Sequence, residues 1–342
     1  MVTAFAVMLW AFRGVGSIQV LMLLRELHAT ILLVPLPFAL AQLTETAAWR
    51  ATFKELGCAV SYVSLLRIRL ACEGIVQTLP GGILVAESLK PKLLMTQCGL
   101  TASDAVCGAA SRKLLLLVSQ CFYFTAAVVA GLHGLRTLRE GWWLQSLIAA
   151  AWLALVLSAS ALTLVLCRGD VCCRLLRALK SLPLKAMRAA TVAWGSGFTK
   201  TDARIVEFCA LGPRRLARST ALYLSAWCWE AAETVLLLRL LGVRLDWGTL
   251  CLLEVCASMI RNVAFISPGG LGIQDLGYAG LLHIFGVPDW LSVAATFTLL
   301  KRSKELLWSA AGYCILATMR GKQPSEHAMG PTHDNQSMCP AG

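Results

Sequence analysis

Residues 114–134 and 143–167 run for 21 and 25 positions without an Asp, Glu, Lys or Arg. At about 1.5 Å per helical residue, each is long enough to cross the roughly 30 Å hydrocarbon core of a bilayer. The rest of the chain is built in the same way. It is 57% hydrophobic and 15% charged, with a mean hydropathy of +0.68. Soluble domains carry about 25% charged residues, so this chain lacks the polar side chains to cover a globular surface. A soluble enzyme, a disordered chain and a fibre are excluded. The fold class expected is an all-α, polytopic transmembrane helical bundle.

Further apolar runs cover 27–48, 217–241, 246–266 and 289–318, with a shorter one at 271–286. Residues 2–12 and 15–24, split by Arg13 and Gly14, are expected to form a broken first helix. Pro35 and Pro37 predict a kink in the next one. These seven or eight elements form one membrane domain over 1–319, followed by a polar tail over 320–342 that is expected to be cytoplasmic.

The net charge of +12 suits membrane topology better than nucleic acid, and no nucleic-acid partner is expected. The 50–113 stretch holds eight basic residues, and 168–218 holds eleven. The opposing connections hold only Arg136 and Arg139, and Arg239 and Arg244. Both basic stretches, and the C-terminus with them, are therefore expected on the cytoplasmic side. Within the second, 171–192 spaces Leu, Ala and Val between Arg and Lys at helical intervals. That pattern suits a helix lying on the leaflet or a solvated connecting helix.

Two segments break the apolar pattern in the same way. Setting Pro80-Gly81-Gly82 on Pro268-Gly269-Gly270 places an acid seven residues after each proline, Glu87 and Asp275, and Leu93-Leu94 on Leu281-Leu282. The chain has no other Pro-Gly-Gly. This register predicts an internal duplication. An apolar segment broken at its centre is tolerated at membrane depth only inside protein or beside a wet cavity, so 75–89 is expected to be a re-entrant hairpin. Half-helix starts present unpaired N–H groups to a ligand. Glu87 and Asp275 then either bind a cation, a proton or a lipid head group, or pair with a nearby Arg to fix the hairpin. Glu45, Glu230, Glu233, Glu254, Arg239 and Arg261 also lie in apolar runs, and Lys301, Arg302, Lys304 and Glu305 form a charged knot. Such groups are costly in lipid and are expected to face the bundle interior, with Arg239 snorkelling as its alternative. Glu230, Arg261 and Arg302 join the two Pro-Gly-Gly elements as candidate substrate- or ion-binding residues. No nucleophile–base set, P-loop or metal-ligand spacing occurs, so no catalytic residue, metal or cofactor is expected. Trp142, Trp143, Trp247 and Trp290 read as interfacial anchors.

Several stretches resemble the lysylphosphatidylglycerol synthase transmembrane-region family of flippase-like membrane proteins. They are Ala48-Trp49-Arg50, the Leu-Pro-Gly…Glu run from Leu79 to Glu87, the Pro-Gly-Gly-Leu-Gly run from Pro268 to Asp275, and the Leu-Lys-Arg…Glu run from Leu300 to Glu305. The late motif, with Asp275 where the family usually carries Glu, is most similar to the hopanoid-biosynthesis-associated branch. The resemblance implies a non-enzymatic lipid translocator or lipid-transport component of a bacterial inner membrane. Its partners would be membrane lipids, hopanoid-type or other, and lipid-biosynthesis enzymes. Two alternatives stand beside it: a membrane scaffold of a lipid-synthesis pathway and an intramembrane lipid-linked transferase. Some members carry a soluble aminoacyltransferase domain after the membrane part. The short tail here leaves no room for one, so transfer of lysine to lipid is not expected.

Overall fold

The computed structural model describes residues 20, 22, 23, 25, 28–137, 141–170, 172–174, 185–263 and 270–320. Every regular element among them is helical, as the composition requires. The segments 2–12 and 15–19, most of 171–192 ahead of Lys185, Pro268, Gly269 and the tail beyond Arg320 lie outside the described residues.

A short 3-10 turn, His28–Leu33, leads into α1 (Leu36–Glu55). Pro35 and Pro37 stand where the 3-10 turn gives way to α1, so the 27–48 run is interrupted at that point. The first helical turn has no intrahelical acceptor for its N–H groups, so a residue without one is tolerated there. Then come α2 (Tyr62–Thr78), α3 (Gly82–Cys98), α4 (Ala102–Thr137), α5 (Gly141–Cys167), α6 (Lys185–Ala210), α7 (Gly212–Leu240), α8 (Trp247–Val263), α9 (Ile273–Ile284) and α10 (Trp290–Arg320).

Among the described residues, three helical segments are long and apolar enough to cross a membrane: Ala29–Glu55, Ala102–Gly131 and Gln145–Cys167. The stretches at 217–241 and 289–318, read as spans, fall within α7 and α10. These helices are long enough, at 29 and 31 residues, but carry more charge. Several of those charges, Glu233, Lys301 and Lys304 among them, are buried within the bundle and do not face its outside. Of the stretch at 246–266, the described residues from Trp247 to Val263 run as one helix of 17 residues. It is α8, one arm of a helical hairpin whose other arm is α9. The early break likewise sits in a hairpin larger than 75–89. Its arms, α2 and α3, have 17 residues each, about 25 Å of helix.

The hairpin tip needs its glycines. Gly81 is left-handed, with φ of 62°, and a Cβ on Gly82 would lie 2.4 Å from the Ile75 carbonyl oxygen. At the second tip, Gly270 and Gly272 have φ of 70° and 81°.

The two hairpins enter from opposite ends. α1 and α7 pack together as the most extensive helix pair and run antiparallel, with Arg50 and Lys54 beside Arg218 at one end and Phe38 near Glu233 at the other. α2 starts at the end carrying Arg50. α8 starts at the opposite end, where Gly248 meets Gly131 late in α4. Trp142, Trp247 and Trp290 begin α5, α8 and α10 at that second end, as an interfacial belt would require.

Each hairpin also packs on the long helix that follows the other hairpin: α2 on α10, and α8 on α4. Facing glycines permit both contacts. A Cβ on Gly312 would lie 2.4 Å from the Leu70 carbonyl and close to Gly74, and one on Gly131 would meet Leu252 and Gly248. In the register that sets Pro80 on Pro268, Gln42 falls on Glu230 and Glu45-Thr46 on Glu233-Thr234. The duplication therefore extends from the hairpins into α1 and α7. Repeat one is α1–α4 and repeat two is α7–α10, related by inversion. α5 and α6 sit outside the repeats, held to α4 in part by Arg204, which bonds Asp104 at 2.8 Å and the Leu56 carbonyl at 3.1 Å.

The glycine contacts lead to a first prediction. Gly312→Val forces α10 away from α2 and should lower stability by about 1–3 kcal/mol. Gly280→Ala, where a Cβ meets nothing within 4 Å, should leave it unchanged or slightly raised. Thermal unfolding of both variants in detergent checks this.

Candidate functional site

Because the hairpins enter from opposite ends, their tips border the same space. A cavity of about 280 Å³ lies between them. The first hairpin contributes Val76, Gln77 and Ile83, and the second contributes Ser258, Arg261, Gly270 and Gln274. α7 adds Trp227, Glu230 and Glu233, and α10 adds Lys301, Lys304 and Glu305.

Most of its charges are neutralised in place. Arg261 donates to Glu230 at 2.6 Å and to Glu254 at 2.8 Å, and the Thr234 hydroxyl donates to the other oxygen of Glu254 at 2.6 Å. Lys304 donates to both oxygens of Glu233 at 2.6 and 2.7 Å, with both side chains 4% exposed, and its ammonium lies 4.4 Å from the Phe38 ring centroid. Lys301 differs. Its Nζ donates to the Tyr278 hydroxyl at 2.6 Å and sits over the Tyr278 and Phe297 rings. It is buried, lines the cavity, and has no carboxylate within salt-bridge distance among the described residues. Glu73 is its acidic counterpart on the cavity wall: it accepts from Gln77 at 2.9 Å and has no cationic partner among the described residues.

Of the expected site residues, Glu230, Arg261 and Gly270 line this cavity. Pro80 and Gly81 form the turn of the first tip, with Gly82 packed behind it. Pro268 and Gly269 lie outside the described residues. Glu87, Asp275 and Arg302 are not among the lining residues. Asp275 accepts from Arg302 at 2.7 and 3.1 Å and from the Gly272 N–H at 2.9 Å, capping α9 and tying it to α10. Glu87 accepts from Lys90 at 2.7 Å and lies 3.6 Å from Arg112 and 3.7 Å from Lys113 on α4. In this geometry each motif acid pairs with a cation on the next long helix and fixes its hairpin. Helical spacing explains the position of the late acid. Adjacent residues project about 100° apart, so Gln274 faces the cavity and Asp275 faces α10.

The repeats share a second clamp. Glu45 on α1 is bonded by Arg69 and by Arg112, the latter at 3.0 Å, and its counterpart Glu233 on α7 is bonded by Lys304. Arg239 stacks over Trp247, 5.5 Å from the ring, at the Trp-bearing end, which is the snorkelling arrangement. Sequence reasoning missed Glu73, Gln77, Gln120, Ser258 and Gln274. Only Gln274 carried a signal, its place inside the late motif.

Residues 1–306 match the family described as the lysylphosphatidylglycerol synthase TM region. The chain belongs to that family. Comparison with curated proteins and with solved structures found no match. Family membership and the apolar helices together make this a membrane protein. For a lysylphosphatidylglycerol synthase TM region, the polar interior just described is the chemistry the bilayer itself lacks.

The Glu233–Lys304 pair is the most sharply testable part of that interior. Lys304→Met leaves a buried carboxylate alone and should cost about 3–5 kcal/mol. Adding Glu233→Gln should restore at least half of the loss. A double-mutant cycle on thermal unfolding decides.

Proposed function

We propose that the chain moves the polar head group of a membrane lipid through the cavity between the two hairpin tips. The observation that carries this reading is Lys301. A buried ammonium that lines the cavity, with no carboxylate within salt-bridge distance among the described residues, offers a place for the anionic part of a head group. Arg261, Gln77 and Gln274 supply further donors around the same space. The lipid tails would stay in the hydrocarbon while the head group passes between hairpins that reach in from opposite ends. Exchange of access by rocking of one repeat against the other follows the general behaviour of transporters built from inverted repeats.

The cargo we favour is a hopanoid-type or other polar lipid. The setting is a bacterial inner membrane with the basic end and the C-terminus toward the cytoplasm. No covalent chemistry is assigned to the cavity. Saturation of Glu87 and Asp275 by cations favours one rival, a membrane scaffold for lipid-synthesis enzymes, which needs the hairpins fixed but no traffic between them.

Reconstitution into liposomes containing lipids with fluorescent head groups separates the two. With the quencher outside, a translocator lets quenching proceed past the outer-leaflet fraction. The double variant Gln77→Leu/Gln274→Leu removes cavity hydrogen bonds worth about 0.5–1.5 kcal/mol each and should slow translocation about 3- to 100-fold, with its melting temperature kept. Quenching that stops at the protein-free level for every head group tried, with a folded wild-type protein, would favour the scaffold.

A further inference from the structure

A second and larger cavity, of about 980 Å³, opens at the basic end of the α1–α7 pair. Arg50 and Lys54 from the last turns of α1 and Arg218 from α7 line it. All three are exposed, and none has an acid within salt-bridge distance among the described residues. Among the described residues no carboxylate lines the cavity. Asp104, which approaches Cys58 on its wall, is already bound by Arg204 at 2.8 Å. Ala47, Ala51, Val60 and Leu222 give the cavity apolar surface, beside the hydroxyls of Ser61, Tyr62 and Ser225.

This differs in kind from the space between the hairpin tips. There most cations have a carboxylate, whereas here three like charges share one groove and repel each other unless an anion joins them. Two guanidinium forks and an ammonium match the oxygens of a phosphate. The apolar part of the lining gives a free phosphate nothing, but it gives the glycerol and upper chains of a lipid a surface to lie on.

We propose that this groove is a binding site for a phosphate group of net negative charge, carried on a membrane lipid. It stands apart from the translocation reading, since none of its residues lines the cavity between the tips.

Cys58 on the groove wall supplies the readout, because it is a free, half-buried thiol. Its alkylation is followed peptide by peptide in the intact chain, in nanodiscs, with the exposed Cys167 as reference. Nanodiscs of phosphatidylglycerol should slow Cys58 about threefold or more relative to phosphatidylcholine, the change that mass action gives at about two-thirds occupancy. Inorganic phosphate added to phosphatidylcholine nanodiscs should have no effect. If it slows Cys58 equally, the site stands and its source is soluble phosphate. The triple variant Arg50→Gln/Lys54→Gln/Arg218→Gln breaks no ion pair and should remove the protection. Lys54→Gln alone should weaken it, should the triple variant express poorly. Equal Cys58 rates in all lipids and with phosphate, or protection that survives the charge removal, would overturn the proposal.

Discussion

A charge that leaves water for the interior of a membrane protein must find a partner of opposite sign or it destabilises the fold by several kcal/mol. The interior of this bundle is organised around that requirement. Glu45 lies between Arg69 and Arg112, Glu233 is chelated by Lys304, Arg261 spans Glu230 and Glu254, and Asp275 holds Arg302. Apart from Arg261–Glu254 within α8, each of these pairs joins different helices, so the pairs set which helices meet and at what height. A helix shifted by one turn would move its charged end about 5 Å and leave both partners unpaired. Against that background Lys301 stands out, because a hydroxyl and two aromatic rings hold it where a carboxylate holds the others.

The inverted duplication turns these pairs into a cavity. Each hairpin is pinned at its acid by the long helix of its own repeat and packed, through facing glycines, on the long helix of the other. The tips are therefore fixed by both halves at once. Because the halves point in opposite directions, the tips converge on one cavity, which Val76 and Ile83 line from the first hairpin and Gly270 and Gln274 from the second. The polar space is a consequence of how the two copies interlock, and neither copy contains it alone.

Much of this could be read in the chain. The all-α membrane class follows from charge-free runs such as 143–167, and the duplication from two Pro-Gly-Gly motifs with acids in step. The pairing of Asp275 with Arg302 was within reach, since both are expensive in lipid and must be satisfied. Three things were hidden. The extension of the duplication to Glu45 and Glu233 is masked because their neighbours have diverged. The packing of α8 on α9 is masked because a hairpin arm and a crossing helix have the same apolar pattern, and only packing tells them apart. The cavity wall is masked because Gln77 and Gln120 are ordinary helix residues until the second tip arrives opposite them. The motif acids drew attention because they stand in register after the two breaks, yet their side chains turn toward the next helix and anchor it.

The central claim is that the two tips enclose a space that receives a lipid head group. Electron cryomicroscopy of the protein in nanodiscs of bacterial lipid extract tests it most directly. The account predicts non-protein density between the tips, in contact with Lys301 and Arg261 and continuous with an acyl chain leaving the bundle. Tips that stay apart, or a closed cavity with ordered lipid only on the outer faces of the helices, would contradict it.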